Sequence, residues 1–236
     1  MRPLVFLKRI SLGLAALSGA CSSVPLPEGG APVNYGSSLN FTVPVTSMVG
    51  RKFDTVVRQQ YDFSCGSAAL ATLLRYHYDD PQNEQSVFLG MWLDGDRAQI
   101  QRLGFSLLDM KRYLAARGIA ADGYKVSLAQ IAQAKVPGIA LINYNGYRHF
   151  VVVKGVDKDT LVLGDPSLGL RRESISRFLR QWNGVFFIVS GRQQVAQAHF
   201  SMARDETRAP LGHIFPGGDP LGLAALALTR PQPGEF

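Results

Sequence analysis

The stretch His149-Phe150-Val151-Val152-Val153-Lys154-Gly155-Val156-Asp157-Lys158-Asp159-Thr160-Leu161-Val162-Leu163-Gly164-Asp165 is two β-branched, apolar runs joined by a polar turn. Runs of that length and composition are strands, and Asp157-Lys158-Asp159 between them makes a hairpin. If Val156 pairs with Thr160 across a three-residue loop, Asp165 lies opposite Val151. It then shares a face with His149, one diagonal step away and within side-chain reach. A two-residue loop would put Asp165 on the other face.

Working outward, Gly138–Asn143 and Gly184–Val189 are two more short runs rich in apolar and aromatic residues. Before them the period is helical. Cys65 opens a run in which Ala69, Leu70, Leu73, Leu74 and His77 fall on one face. Over 84–93, Val87, Phe88, Met91 and Trp92 form another stripe. Ser106 and Asp109 make a capping box before Leu107, Met110 and Leu114, with Gly118 as the stop. Ser127 with Gln130 starts a short helix, and Ile175, Phe178, Leu179 and Trp182 mark one more. Helices first and strands second predict an α+β fold, with N-terminal helices packed on a C-terminal antiparallel sheet.

The chain has 236 residues, 46% of them hydrophobic and 18% charged, which suits one ordinary domain with appendages. Two cysteines build neither a disulfide framework nor a four-thiolate zinc site. No phosphate-loop string occurs. The net charge of +7 includes Arg2, Lys8 and Arg9; without them 22 basic residues face 18 acidic ones. A basic cluster, Arg171, Arg172, Arg177 and Arg180, sits on what reads as a short helix and reads as a solvated face. No nucleic-acid reader motif accompanies it, so no nucleic-acid partner is expected.

Residues 1–20 have the layout of a signal peptide: a basic start, the apolar run Ile10–Leu17, then Ser18-Gly19-Ala20 before Cys21. The run is well short of the ~20 residues that span a bilayer. Cys21 is either a lipidated N-terminus or the residue beside an ordinary cut, and the expectation is an exported, periplasmic protein. Any membrane attachment would be through that anchor alone. Residues 21–50 read as a linker, 51–191 as the folded domain, and 192–236 as a tail opening with a short helical piece over 193–204.

Chemistry gathers around Gln59-Gln60-Tyr61-Asp62-Phe63-Ser64-Cys65-Gly66, which leads into the first long helix. At a helix N-terminus the macrodipole and unpaired amides favour thiolate over thiol. Gly66 removes bulk beside the sulfur, leaving room for a substrate carbonyl. Acyl transfer also needs an imidazole, a group that orients it, and oxyanion donors. Of the four histidines, His77 reads as a core or cap residue, and His199 and His213 lie in the tail. His149 starts a buried strand and Asp165 ends the next.

These segments, 59–74 and 149–169, resemble the C39 family of cysteine peptidases, over residues 50 to 191. That resemblance implies a papain-like fold, Cys65 as nucleophile, His149 as general base and acid, and Asp165 as its orienter. It also implies Gln59 as oxyanion donor, with the adjacent Gln60 as a rival. Ser64 stands where the exporters of the family usually have aspartate. Members fused to bacteriocin exporters cut leader peptides after a double glycine. No membrane or ATPase domain is recognisable after residue 191, so a free-standing exported form is expected. Signal segment, cysteine motif and proline-rich tail together are similar to the protease-like component of functional amyloid (Fap) secretion systems. The resemblance implies a co-exported peptide or protein substrate and secretion-system partners, with no metal or other cofactor. Water and an amine are both open as acceptors of the acyl group, and a catalytically silent peptide-binding module is the non-enzyme alternative.

Overall fold

The computed structural model describes residues 31–35, 39–43, 47–144, 146–202 and 205. The chain forms two units, 1–46 and 47–236. The expected signal segment and Cys21 lie outside the described residues, as do positions 206–236 of the tail. Among the described residues no helix is long and apolar enough to cross a membrane.

In the first unit, β1 (Ala31–Tyr35) pairs antiparallel with β2 (Leu39–Val43). Both strands lie in the stretch that reads as linker. Val33, Tyr35, Leu39, Phe41 and Val43 alternate with other residues on either side of Gly36-Ser37-Ser38, the period of paired strands.

The second unit begins with α1 (Met48–Lys52), followed by α2 (Cys65–His77), α3 (Glu84–Asp94), α4 (Arg97–Leu103) and α5 (Leu107–Ala116). Then come β3 (Ala121–Lys125), α6 (Leu128–Ala134), β4 (Gly138–Tyr144), β5 (Tyr147–Val156), β6 (Thr160–Asp165) and β7 (Gly169–Ser174). The helix α7 (Ile175–Gln181), the strand β8 (Trp182–Val189) and the helix α8 (Gln193–Ala198) follow. The capping boxes at Ser106 and Ser127 form as their spacing predicts, and Asn83 with Ser86 adds a third at α3.

Six strands form one antiparallel sheet in the order β3-β8-β4-β5-β6-β7. This is the expected α+β arrangement, with helices on both faces. On one face Leu70, Leu73 and Leu74 of α2 join Met91, Met110, Leu114, Val152 and Phe187. On the other, Val151, Val153, Leu161 and Leu163 pack with Phe178, Trp182, Phe186 and Ile131. Because β5 is covered on both sides, its centre is a continuous apolar run rather than an alternating one. Helix α2 is buried nearly all round, and replacing a residue such as Leu73 by alanine costs about 2–5 kcal/mol.

Three local expectations are corrected. Arg171 and Arg172 belong to a strand, β7, and only Arg177 and Arg180 lie in α7. Strand β7 is the sheet edge, where charged residues are normal and apolar alternation is weak. Trp182 opens β8 instead of closing the helical stripe, because its backbone pairs with Ile142 of β4. Helix α8 ends at Ala198, short of the expected 204, and Ser201 then takes a left-handed conformation (φ 51°). Glycine at position 66 also meets a packing requirement: a Cβ there would stand 2.9 Å from Phe105 Cβ and 3.1 Å from Met110 Cε.

Candidate active site

The hairpin that should join His149 to Asp165 reaches the expected register by a different route. Val156 pairs with Leu161, not Thr160, and Asp157 N–H donates to Thr160 O at 2.8 Å, so the loop holds four residues. A bulge between Val153 and Gly155 then shifts the register by one. Beyond it Val153 faces Leu163 and Val152 faces Gly164, so the next step sets Val151 against Asp165.

The bulged residue, Lys154, is almost wholly buried. Its Nζ donates to Thr55 O at 2.8 Å and stands 3.0 Å from Asp205 Oδ2, a charge contact without hydrogen-bond alignment. Thr55 Oγ1 donates to Asp205 Oδ1 at 2.7 Å. Three distant segments thus meet at the bulge.

His149 and Asp165, both buried, are joined by a 2.8 Å contact between Nε2 and Oδ1. The carboxylate has further partners that the sequence did not reveal. Oδ1 accepts from the backbone N–H of Ser167 at 2.9 Å and of Leu168 at 3.2 Å. Oδ2 accepts from Arg171 Nε at 3.1 Å, and Arg171 also donates to Glu173 at 2.7 Å. Asp165-Pro166-Ser167 is a side-chain-stabilised turn visible as a turn signal, whereas Arg171 could be found only from strand pairing. Burial pushes the Asp165 pKa up, but hydrogen bonding to His149 and the charges of His149 and Arg171 hold it below its ordinary value.

With Nε2 occupied by Asp165, Nδ1 is the ring nitrogen left for Cys65. Nδ1 is buried and makes no well-formed hydrogen bond, yet the sulfur acts on the ring electrostatically. Burial lowers the imidazole pKa; the hydrogen bond to Asp165 and the charges of Asp165 and Cys65 outweigh it and raise the pKa to about 9. Tyr147 stacks obliquely over the ring, 5.9 Å between centroids, and its hydroxyl donates to Asp62 O at 2.8 Å.

Cys65 is the first residue of α2, buried and free of any disulfide. The N-cap Ser64 does not cap the helix with its side chain. Its Oγ instead accepts from Tyr61 N–H at 3.1 Å and donates to Tyr61 O at 3.0 Å, closing the turn before the sulfur. The first-turn N–H groups of α2 therefore receive no side-chain acceptor from Ser64. Ser64 thus supplies local hydrogen bonds immediately before the sulfur.

Gln59 is tied to the loop beyond Asp165. Its N–H donates to Pro166 O at 3.0 Å, and its Oε1 accepts from Ser167 Oγ at 2.7 Å. Its Nε2 donates to Tyr61 O at 3.0 Å, which engages one of two amide hydrogens. The neighbouring Gln60 is exposed. His77 is buried, with Nδ1 3.0 Å from His199 O, as a core histidine should be. Among the described residues no group of three or more His, Cys, Asp or Glu side chains could hold a metal ion.

A cavity of about 360 Å³ opens beside His149 and Asp165, with Tyr144, Tyr147 and Leu168 in its wall. A buried imidazole–carboxylate pair beside a cysteine at a helix start is an arrangement suited to acyl transfer.

The profile of the Peptidase C39 family matches residues 54–194. The chain is 38% identical over 192 residues to a Pseudomonas aeruginosa protein described as "Probable functional amyloid protease FapD", covering 81% of each. A Pseudomonas fluorescens protein with the same description is 44% identical over 147 residues, 62% of this chain and 65% of that one. Among solved structures, the peptidase domain of Streptococcus ComA aligns with 21% identity and a TM-score of 0.49, over 57% of this chain and 96% of that one. The chain belongs to the Peptidase C39 family and is a cysteine peptidase.

Proposed function

We propose that the protein is an exported endopeptidase that cuts a co-exported peptide or protein through Cys65, His149 and Asp165. The observation that carries this is the buried His149–Asp165 pair, with its second ring nitrogen left to the sulfur at the start of α2. The Cys65 thiolate attacks the peptide carbonyl carbon and a C–S bond forms. The oxyanion is held by the Cys65 backbone N–H and the second Nε2–H of Gln59. Losing one such donor costs about 10²–10³ in rate. As the C–N bond breaks, His149 gives its Nδ1 proton to the leaving amine. Water then attacks the thioester, passing a proton to His149, and the thiolate is regenerated as the acid leaves. Asp165 stabilises the imidazolium and holds its orientation.

The descriptions of the two Pseudomonas relatives support a substrate belonging to a functional-amyloid export system. The family resemblance supports a Gly-Gly-type site, and the N-terminal pattern of residues 1–21 supports action in the periplasm. Wild type, Cys65→Ala and His149→Ala are incubated with co-exported proteins, and new termini are mapped by mass spectrometry. Termini that appear only with wild type support the proposal. Identical termini in wild type and Cys65→Ala samples would overturn proteolysis of those substrates.

A further inference from the structure

Cys65 and His149 stand on separate supports. The sulfur is carried by the turn 59–64 and the start of α2, the imidazole by the first residues of β5. A helix start and a strand start share no backbone ladder, so side chains must fix one against the other. Gln59 makes one such tie, to Pro166 O and Ser167 Oγ beyond Asp165.

Tyr147 makes another, directly beside the imidazole. Alternation along β5 puts the side chains of Tyr147 and His149 on the same face. Their rings lie 5.9 Å apart between centroids, with 30° between the planes. The Tyr147 hydroxyl donates to Asp62 O at 2.8 Å, joining residues 85 apart in sequence. Asp62 lies inside the turn that Ser64 Oγ closes on the N–H and carbonyl of Tyr61, and Cys65 follows directly. Because the turn is braced from within, a displacement at Asp62 is passed on to the sulfur. Burial first, then the charges of Cys65, Asp62 and Asp165, push the Tyr147 phenol pKa up. The phenol thus stays a donor at neutral pH, within electrostatic reach of both the sulfur and the carboxylate.

We infer that Tyr147 is a positioning residue: it ties the turn bearing the sulfur to the strand bearing the imidazole, and so sets Cys65 against Nδ1 of His149. This rests on the pairing of those two groups in the proposed mechanism. Asp165 orients the ring, and Tyr147 fixes where the sulfur stands relative to it. Tyr147 is 52% exposed, so removing its hydroxyl leaves the core intact and isolates the tie.

The test reads the pairing without a substrate. A thiolate held by an imidazolium reacts with iodoacetamide well below the ordinary thiol pKa of about 8.5, and a lone thiol does not. The alkylation rate of Cys65 is measured from about pH 5 to 10 in full-length wild type, Tyr147→Phe, Tyr147→Leu and His149→Gln. Peptide mass spectrometry counts Cys65 separately from Cys21, and every rate is taken below the melting temperature of the least stable variant. Tyr147→Phe keeps the ring and loses only the hydroxyl. It should react about three- to tenfold more slowly than wild type near pH 6, the weight of one ordinary hydrogen bond. Near pH 10, where the thiol ionises unaided, the two should react about equally fast. Tyr147→Leu should lose at least as much at the acid end.

A purely steric or folding role would shift the rate alike at every pH. Such a uniform shift, or a Tyr147→Phe profile identical to wild type, overturns the inference alone when His149→Gln has lost its acid-side reactivity. Acid-side reactivity retained in His149→Gln overturns the Cys65–His149 pairing, and the inference with it.

Discussion

Arg171 holds the outer oxygen of Asp165 while His149 holds the inner one: Nε to Oδ2 at 3.1 Å, and Nε2 to Oδ1 at 2.8 Å. The carboxylate is thereby clamped from β5 and β7 while itself ending β6, so its orientation is set by three strands.

Removing the carboxylate's charge should cost more than removing its clamp. Asp165→Asn is expected to lower kcat/KM by about 10²–10⁴-fold, the range for disabling acid–base catalysis. Arg171→Gln leaves His149 its partner and should cost about tenfold, roughly 1.4 kcal/mol of transition-state stabilisation. Steady-state kinetics on both variants checks the order; equal losses would mean that Arg171 is as indispensable as the carboxylate.

His149 has a pKa raised from 6.5 to about 9, and its contribution to stability follows from that direction. Protonated imidazole is favoured in the folded protein, so the contribution is complete below pH 6.5 and fades as pH rises through about 9. Asp165 runs oppositely, because its pKa is lowered from 3.8: its contribution is present above that value and is lost on further acidification. Melting temperature measured from pH 5 to 10 should decline on the alkaline side, and less so in His149→Gln. The proton donated to the leaving amine disappears over the same alkaline range, so kcat/KM should fall near pH 9.

Gly169 ends the turn that carries Ser167 and Leu168 under Asp165, with φ 80°. A Cβ there would lie 2.7 Å from Lys52 O. Gly169→Ala is expected to destabilise by about 1–3 kcal/mol through strain and the clash. Denaturant unfolding checks it, with Gly146→Ala as a reference: that glycine also has positive φ, but nothing lies within 4 Å of its Cβ position.

The ion pair at the bulge predicts a non-additive result. Asp205→Ala removes the carboxylate 3.0 Å from the buried Lys154 Nζ and should cost about 3–5 kcal/mol. Adding Lys154→Met removes the buried ammonium as well and should recover part of that loss. A double-mutant cycle by chemical denaturation reads the coupling, and simple additivity would show that the pair is not coupled.

Periodicity and capping made the α2, α3, α5 and α6 segments legible, because both signals are local: Ser106 with Asp109 and Ser127 with Gln130 need only neighbours three residues away. Strand β7 was not legible, since Gly169-Leu170-Arg171-Arg172-Glu173-Ser174 becomes extended by pairing with β6 rather than by its own composition. Gly66 reads as clearance for a substrate and also provides clearance for Phe105 and Met110, neighbours that only packing supplies.

By itself the sequence determined which local elements bear the groups proposed to carry the chemistry: Cys65 at a helix start, His149 near a strand start, Asp165 at a strand end. Helix caps and apolar periodicity act over a few residues, so one chain is enough to read them. Tertiary structure alone decided how those groups meet. The four-residue loop would have slipped the hairpin by one residue, and the bulge at Lys154 restores it. That bulge is held by Thr55 and Asp205, 99 residues before it and 51 after, and no local signal encodes partners so distant.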